Sequence, residues 1–128
     1  PSSKTVNTFL QALAKKDIAA AIEVFHTAIA AGTEPKVFAL LAIAKVRGVL
    51  LLRFAPKLEG ASKEQCGEDD LAFLKKLSLD RSPTSETGKG GMAINAALLA
   101  ELLTALIEIN RAPLPQIPLE LALYRVFG

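Results

Sequence analysis

The sequence predicts an all-α, single-domain bundle of about six helices packed around a long third one. Three observations lead there. Apolar residues recur three and four positions apart through most of the chain. No run alternates apolar and polar residues in the way of a half-buried strand. Gly, Pro, Asp and Asn stand where helices of that spacing would begin and end. At 128 residues the chain is one domain by size, able to bury a core without metal or disulfide.

The first helix follows from Val6, Phe9, Leu10 and Leu13, with Asn7, Gln11 and Lys15 opposite and Ser2, Ser3 or Thr5 as candidate caps. Lys15-Lys16-Asp17 is a turn whose Asp caps the second helix, where Ile18, Ile22, Phe25 and Ile29 form a stripe. Gly32 fits the position just past that helix, and Pro35 the first turn of the next. Such short connections predict three consecutive antiparallel helices.

The third helix, Pro35 to Pro56, is apolar in every direction through Val37, Leu41, Val46, Val49, Leu52 and Phe54, so it should be covered all round. Its length would also cross a bilayer. Lys45 and Arg47 argue against that, since a central Lys or Arg costs about 2.5–3.5 kcal/mol on insertion scales. The reading is a buried helix with Lys45, Arg47 and Arg53 reaching outward along their aliphatic stems.

A polar connector, Glu59 to Gly67, precedes a short fourth helix marked by Leu71, Leu74 and Leu77. Acids at its start (Glu68, Asp69, Asp70) and Lys75 and Lys76 near its end suit the helix dipole. Residues 80–91, DRSPTSETGKGG, offer no apolar anchor and read as a mobile loop within the domain. Asn95 caps a fifth helix with a broad face of Leu98, Leu99, Leu102, Leu103, Leu106 and Ile107. After a Pro-rich break, Pro118 opens a sixth whose inner side is Leu119, Ala122, Leu123 and Val126.

The composition narrows the function. Hydrophobic residues make up 51% of the chain and the mean hydropathy is +0.34, high for a domain of this size. Such an excess points to an interface beyond the intramolecular core. A net charge of +2 is too mild to indicate nucleic acid. Lys36, Lys45, Arg47, Arg53 and Lys57 scatter around the third helix, and the chain has no Trp and one Tyr to stack on bases. One cysteine excludes an internal disulfide and fits a reducing, cytoplasmic setting. The start at Pro1 rather than Met suggests a piece of a longer chain.

No catalytic, cofactor-binding or metal-ligating set emerges. His26 has only Glu23 within a turn as a further ligand, so it reads as a solvated helix-face histidine. Cys66 stands beside acids, which disfavour the thiolate a nucleophile needs. Glu68-Asp69-Asp70 lacks the alternating pattern of a calcium loop. Gly88-Lys89-Gly90-Gly91 lacks the earlier Gly, the following Ser or Thr and the preceding strand of a phosphate loop. One structural ion pair is expected: Arg47, in the apolar helix centre, with Glu120 of the last helix.

Three stretches carry a likeness: NTFLQALAKKDIAAAIEVFHTAIAAGTEPKVFALL, VRGVLLLRFAPKL and LLAELLTALIEINRAPLPQIPLELALYRV. Together they resemble the third domain of the gamma/tau subunit of bacterial DNA polymerase III, the helical collar through which clamp-loader subunits associate. The resemblance runs from about Asn7 to Phe127; the insertion from Asp80 to Gly91 departs from it. It implies a domain without chemistry of its own, whose partners are other gamma/tau, delta and delta-prime subunits in a homo- or hetero-oligomer. ATP and Mg would belong to an earlier domain of the parent protein, with none bound here. No nucleic acid or membrane contact is implied. The delta subunit's C-terminal collar domain is the nearest rival, and a helical adaptor that takes a partner helix in a groove is another. The contact is expected on outward apolar positions of the last two helices: Leu99, Leu103, Ile107, Leu114, Leu121 and Tyr124.

Overall fold

A computed structural model describes residues 3–55, 57, 72–78, 94–111 and 113–127. Among these the chain is an all-α bundle of six helices without a strand. They are α1 (Ser3–Ala14), α2 (Ile18–Ala30), α3 (Pro35–Phe54), α4 (helical over 72–78), α5 (Ala96–Ile109) and α6 (Ile117–Phe127). Cys66, the acids at 68–70 and the segment 80–91 lie outside the described residues.

The caps are set by local chemistry. Asp17 Oδ1 accepts from the Ala20 amide at 3.1 Å and Asn95 Oδ1 from the Leu98 amide at 2.9 Å, each satisfying a donor the helix start leaves open. Thr5 lies inside α1 and does not cap it; its first residue is Ser3. Two helices end in the same motif. After α2, Gly32 (φ +102°) and Thr33 donate back to Ile29 and Ala28, both at 3.0 Å. After α1, Lys16 (φ +59°) and Asp17 donate to Leu13 and Ala12 in the same way. Lys16 holds a left-handed conformation that costs a side-chain-bearing residue about 1–2 kcal/mol.

Core packing starts from α1, whose Val6, Phe9, Leu10 and Leu13 are fully buried. It lies against α2 and α3, α3 lies against α5, and α6 closes on α5 and α2. Phe38 joins the first three helices: its ring meets Phe9 edge-on and Phe25 at a tilt, both at 5.0 Å between centroids. The buried stripe of α2 is Ala21, Phe25 and Ala28, with Ile18, Ile22 and Ile29 on its half-buried flanks. Small residues on the inner line bring the α1 and α2 backbones together, and the isoleucines then fill the margins. Gly48 does the same for α4, since a Cβ there would stand 2.9 Å from Leu74 Cδ1.

Two expectations for α3 are corrected. The helix is not covered all round: Val37, Leu40, Ala44, Arg47 and Phe54 are exposed, with Leu51 half-buried on the same line. The buried side, which includes Phe38, Ala42, Val46, Val49 and Leu52, lies against α1 and α5, with Phe25 of α2 at Phe38 and Leu74 of α4 at Gly48. Nor do all three cations reach outward. Arg47 does, but Lys45 is buried and is not left unpaired.

Arg53 is half-buried, donating from Nε to the Ser78 carbonyl at 3.2 Å and from Nη1 to the Ile94 carbonyl at 2.7 Å. One guanidinium thereby ties the last described turn of α4 to the entry of α5. Arg53→Met is expected to lower stability by about 1–3 kcal/mol in urea unfolding, the cost of stranding two part-buried acceptors. Arg53→Lys should recover less than half of it, because one ammonium lacks the two-pronged reach.

Candidate protein-association site

The site is built on the hairpin of α5 and α6. In α5 the residues facing the bundle are Leu98, Leu102, Ala105 and Ile109, and in α6 they are Leu119, Ala122 and Leu123. That leaves the outward side of each helix apolar as well, because the sequence places leucines and isoleucines beyond the inner stripe. Nine large hydrophobic residues are exposed among those described, and six fall here: Leu103, Ile107, Leu114, Ile117, Leu121 and Tyr124. Ile107 is 62% exposed and Leu114 54%. Spacing of four residues on α5 (103, 107) and of four and three on α6 (117, 121, 124) puts each set on one helix side.

Polar contacts fix how the hairpin sits. Arg125 Nη1 donates to Glu101 Oε1 at 3.4 Å, setting the end of α6 beside the first half of α5. On the other flank, His26 Nε2 and Glu120 Oε2 lie 3.0 Å apart, joining α2 to α6. Both are surface pairs, of a kind worth about 0–1 kcal/mol, so their role is register more than stability. Between α2 and α6 a cleft of about 400 Å³ opens, with Ile29, Ala30, Leu114 and Ile117 as apolar walls and the His26–Glu120 pair at its edge.

The sequence-level candidates divide as follows. Leu103, Ile107, Leu114, Leu121 and Tyr124 are all exposed on or beside the hairpin. Leu99 is not: it is half-buried and packed on the core. The Arg47–Glu120 pair is replaced, because Glu120 bonds His26 while Arg47 points to solvent from the uncovered side of α3. That correction has a physical reason: an exposed arginine keeps its hydration and needs no carboxylate. Sequence reasoning missed His26 as a partner, since 94 residues separate it from Glu120 and nothing local marks the pair.

Among the described residues no group of three or more His, Cys, Asp or Glu gathers to hold a metal ion, and no helix is long and apolar enough to cross a membrane. No protein-family model matches the chain, and neither the curated proteins nor the solved structures give a significant match.

Proposed function

We propose that this chain is an association domain, without chemistry of its own, that docks on neighbouring subunits through the outward face of α5 and α6. The observation that carries the reading is the concentration of exposed apolar side chains on that hairpin. Left in water, such a patch is more typical of an interface than of a free surface. The sequence resemblance supplies the assembly: a collar domain of the DNA polymerase III clamp loader, of the gamma/tau type, supporting sliding-clamp loading in DNA replication. A collar needs helical modules with adhesive sides, and a helical bundle whose outward faces stay apolar has that property. The delta-type collar shares this logic. The helical-adaptor reading draws on the cleft between α2 and α6, wide enough for a partner's apolar side chain.

The test is co-elution. Mixed with clamp-loader delta and delta-prime subunits, or with gamma/tau ATPase modules carrying their own collars, the chain is expected to move into a larger complex on gel filtration. Elution as a separate monomer from every such mixture would remove the clamp-loader assignment.

A further inference from the structure

The cleft between α2 and α6 combines apolar walls with polar groups whose bonding capacity is not used up. Ile29, Ala30, Leu114 and Ile117 form the walls, and His26, Gln116 and Glu120 supply the polar atoms. Its volume of about 400 Å³ lies near the lower end of the roughly 300–1,000 Å³ of ligand pockets, which suits a side chain rather than a large cofactor. Glu120 sets the chemistry. Its side chain is only 19% exposed, and it accepts from His26 Nε2 through Oε2 alone, at 3.0 Å. A carboxylate accepts through both oxygens, so Oε1 stands half-buried beside hydrocarbon with no partner among the described residues. The half-buried Gln116 side chain has no hydrogen bond among them either. Neither Lys nor Arg lines the cleft: Arg111, exposed where α5 ends, is outside it, and the next charge along α2 from His26 is the exposed acid Glu23.

Resting on the reading of this chain as an association domain, we infer that the cleft receives an arginine from a segment of a partner protein, with an apolar residue of the same segment settling on Ile117 and Leu121. Charge and shape select this occupant. An apolar side chain alone would strip water from Glu120 and offer its free oxygen nothing in return, and an acidic one would meet a like charge. An arginine lays its methylene stem along Ile29, Ala30 and Ile117 and brings five donors in a flat fork. One N–H of that fork serves Glu120 Oε1 and another the Gln116 amide oxygen. A lysine carries the same charge on a single rotating head and matches the two acceptors less well. Leu114 and Ile117 belong both to the cleft and to the outward face of the hairpin, and Leu121 follows one turn after Ile117. That continuity gives a second residue of the partner its seat, so a protein segment fits where a free guanidino compound would leave half the surface bare.

The experiment titrates acetylated Gly-Xaa-Ala-Leu-Ala-Gly amides, with arginine, lysine, norleucine or glutamate as Xaa, into the isotope-labelled full chain and follows its amide signals by NMR. The arginine peptide should shift the amides of Ile29, Gln116, Ile117 and Glu120 in a saturable way. It should bind at least about tenfold more tightly than the norleucine peptide, the margin of one charge-assisted hydrogen bond. The lysine peptide should fall between the two, and the glutamate peptide should not bind. In Glu120→Gln, which keeps the shape but not the charge, arginine's advantage over norleucine should shrink to less than about threefold. Circular dichroism melts matching the unmodified chain exclude misfolding, and Gln116→Ala gives a second reading, a loss of about threefold for the arginine peptide. Ile107→Asp, outside the cleft, should bind the arginine peptide as the unmodified chain does while weakening co-elution with other subunits. Equal or tighter binding of any of the other three peptides, or no saturable shift of the cleft amides, overturns the inference and leaves the outward face of α5 and α6 to be judged by co-elution alone. An arginine advantage that survives undiminished in Glu120→Gln overturns it as well, since the carboxylate would then select nothing.

Discussion

Phe38→Ala is expected to destabilise the domain by about 3–5 kcal/mol, the range for removing a buried phenylalanine. The ring is fully buried and stands between Phe9 and Phe25, so its loss takes away transfer free energy and two aromatic contacts at once. The neighbouring helices collapse poorly into the space, since α1 and α2 are held at their shared turn and α3 is pinned through α5. In a domain of this size the midpoint of thermal unfolding should fall by roughly 10–20 °C. Phe38→Leu should cost less than half as much, as it keeps most of the volume. Differential scanning calorimetry of the three proteins measures both figures. Equal melting of Phe38→Ala and the unmodified chain would mean that the three-helix junction is not where the structure places it.

Much of this fold could be read from the residues because it is written locally. Asp17 and Asn95 cap where the spacing predicts, Gly32 takes its left-handed conformation, and Pro35 opens α3. Caps and turns depend on a few neighbouring residues, and so does the inner stripe of α1. What could not be read is set by contacts distant in sequence. On α3 every direction is apolar, so periodicity has no contrast from which to tell the sealed side from the open one. That ambiguity hid the exposed line from Val37 to Phe54, and with it the burial of Lys45. On α2 the isoleucines outweigh the alanines in any hydrophobicity count. Helix approach distance decides the matter instead, and it favours Ala21 and Ala28 on the inside. The outward leucines of α5 and α6 were legible as surplus: a helix of this kind needs only about a third of its positions for one core face.

The second large effect concerns that surplus. Replacing both Ile107 and Leu121 with Asp should leave the fold intact, since both side chains are exposed and surface substitutions usually stay within about 0.5 kcal/mol. Association should suffer far more. Each aliphatic anchor contributes about 1.5–3 kcal/mol when fully covered, and each new carboxylate would have to be desolvated against an apolar neighbour. Together these weaken association by about 100-fold or more, readable from the dilution at which complexes part in light scattering. A matched double substitution at exposed positions off the hairpin, Gln11→Asp with Ala19→Asp, adds the same charge and should leave association nearly unchanged.

Sedimentation velocity of the unmodified chain beside the Ile107/Leu121 variant, over a wide concentration range, tests most directly whether outward apolar faces drive assembly. The unmodified chain should pass from its 13.6 kDa monomer to progressively heavier species as concentration rises, while the variant holds at 13.6 kDa throughout. A variant that grows heavier in step with the unmodified chain would contradict the account.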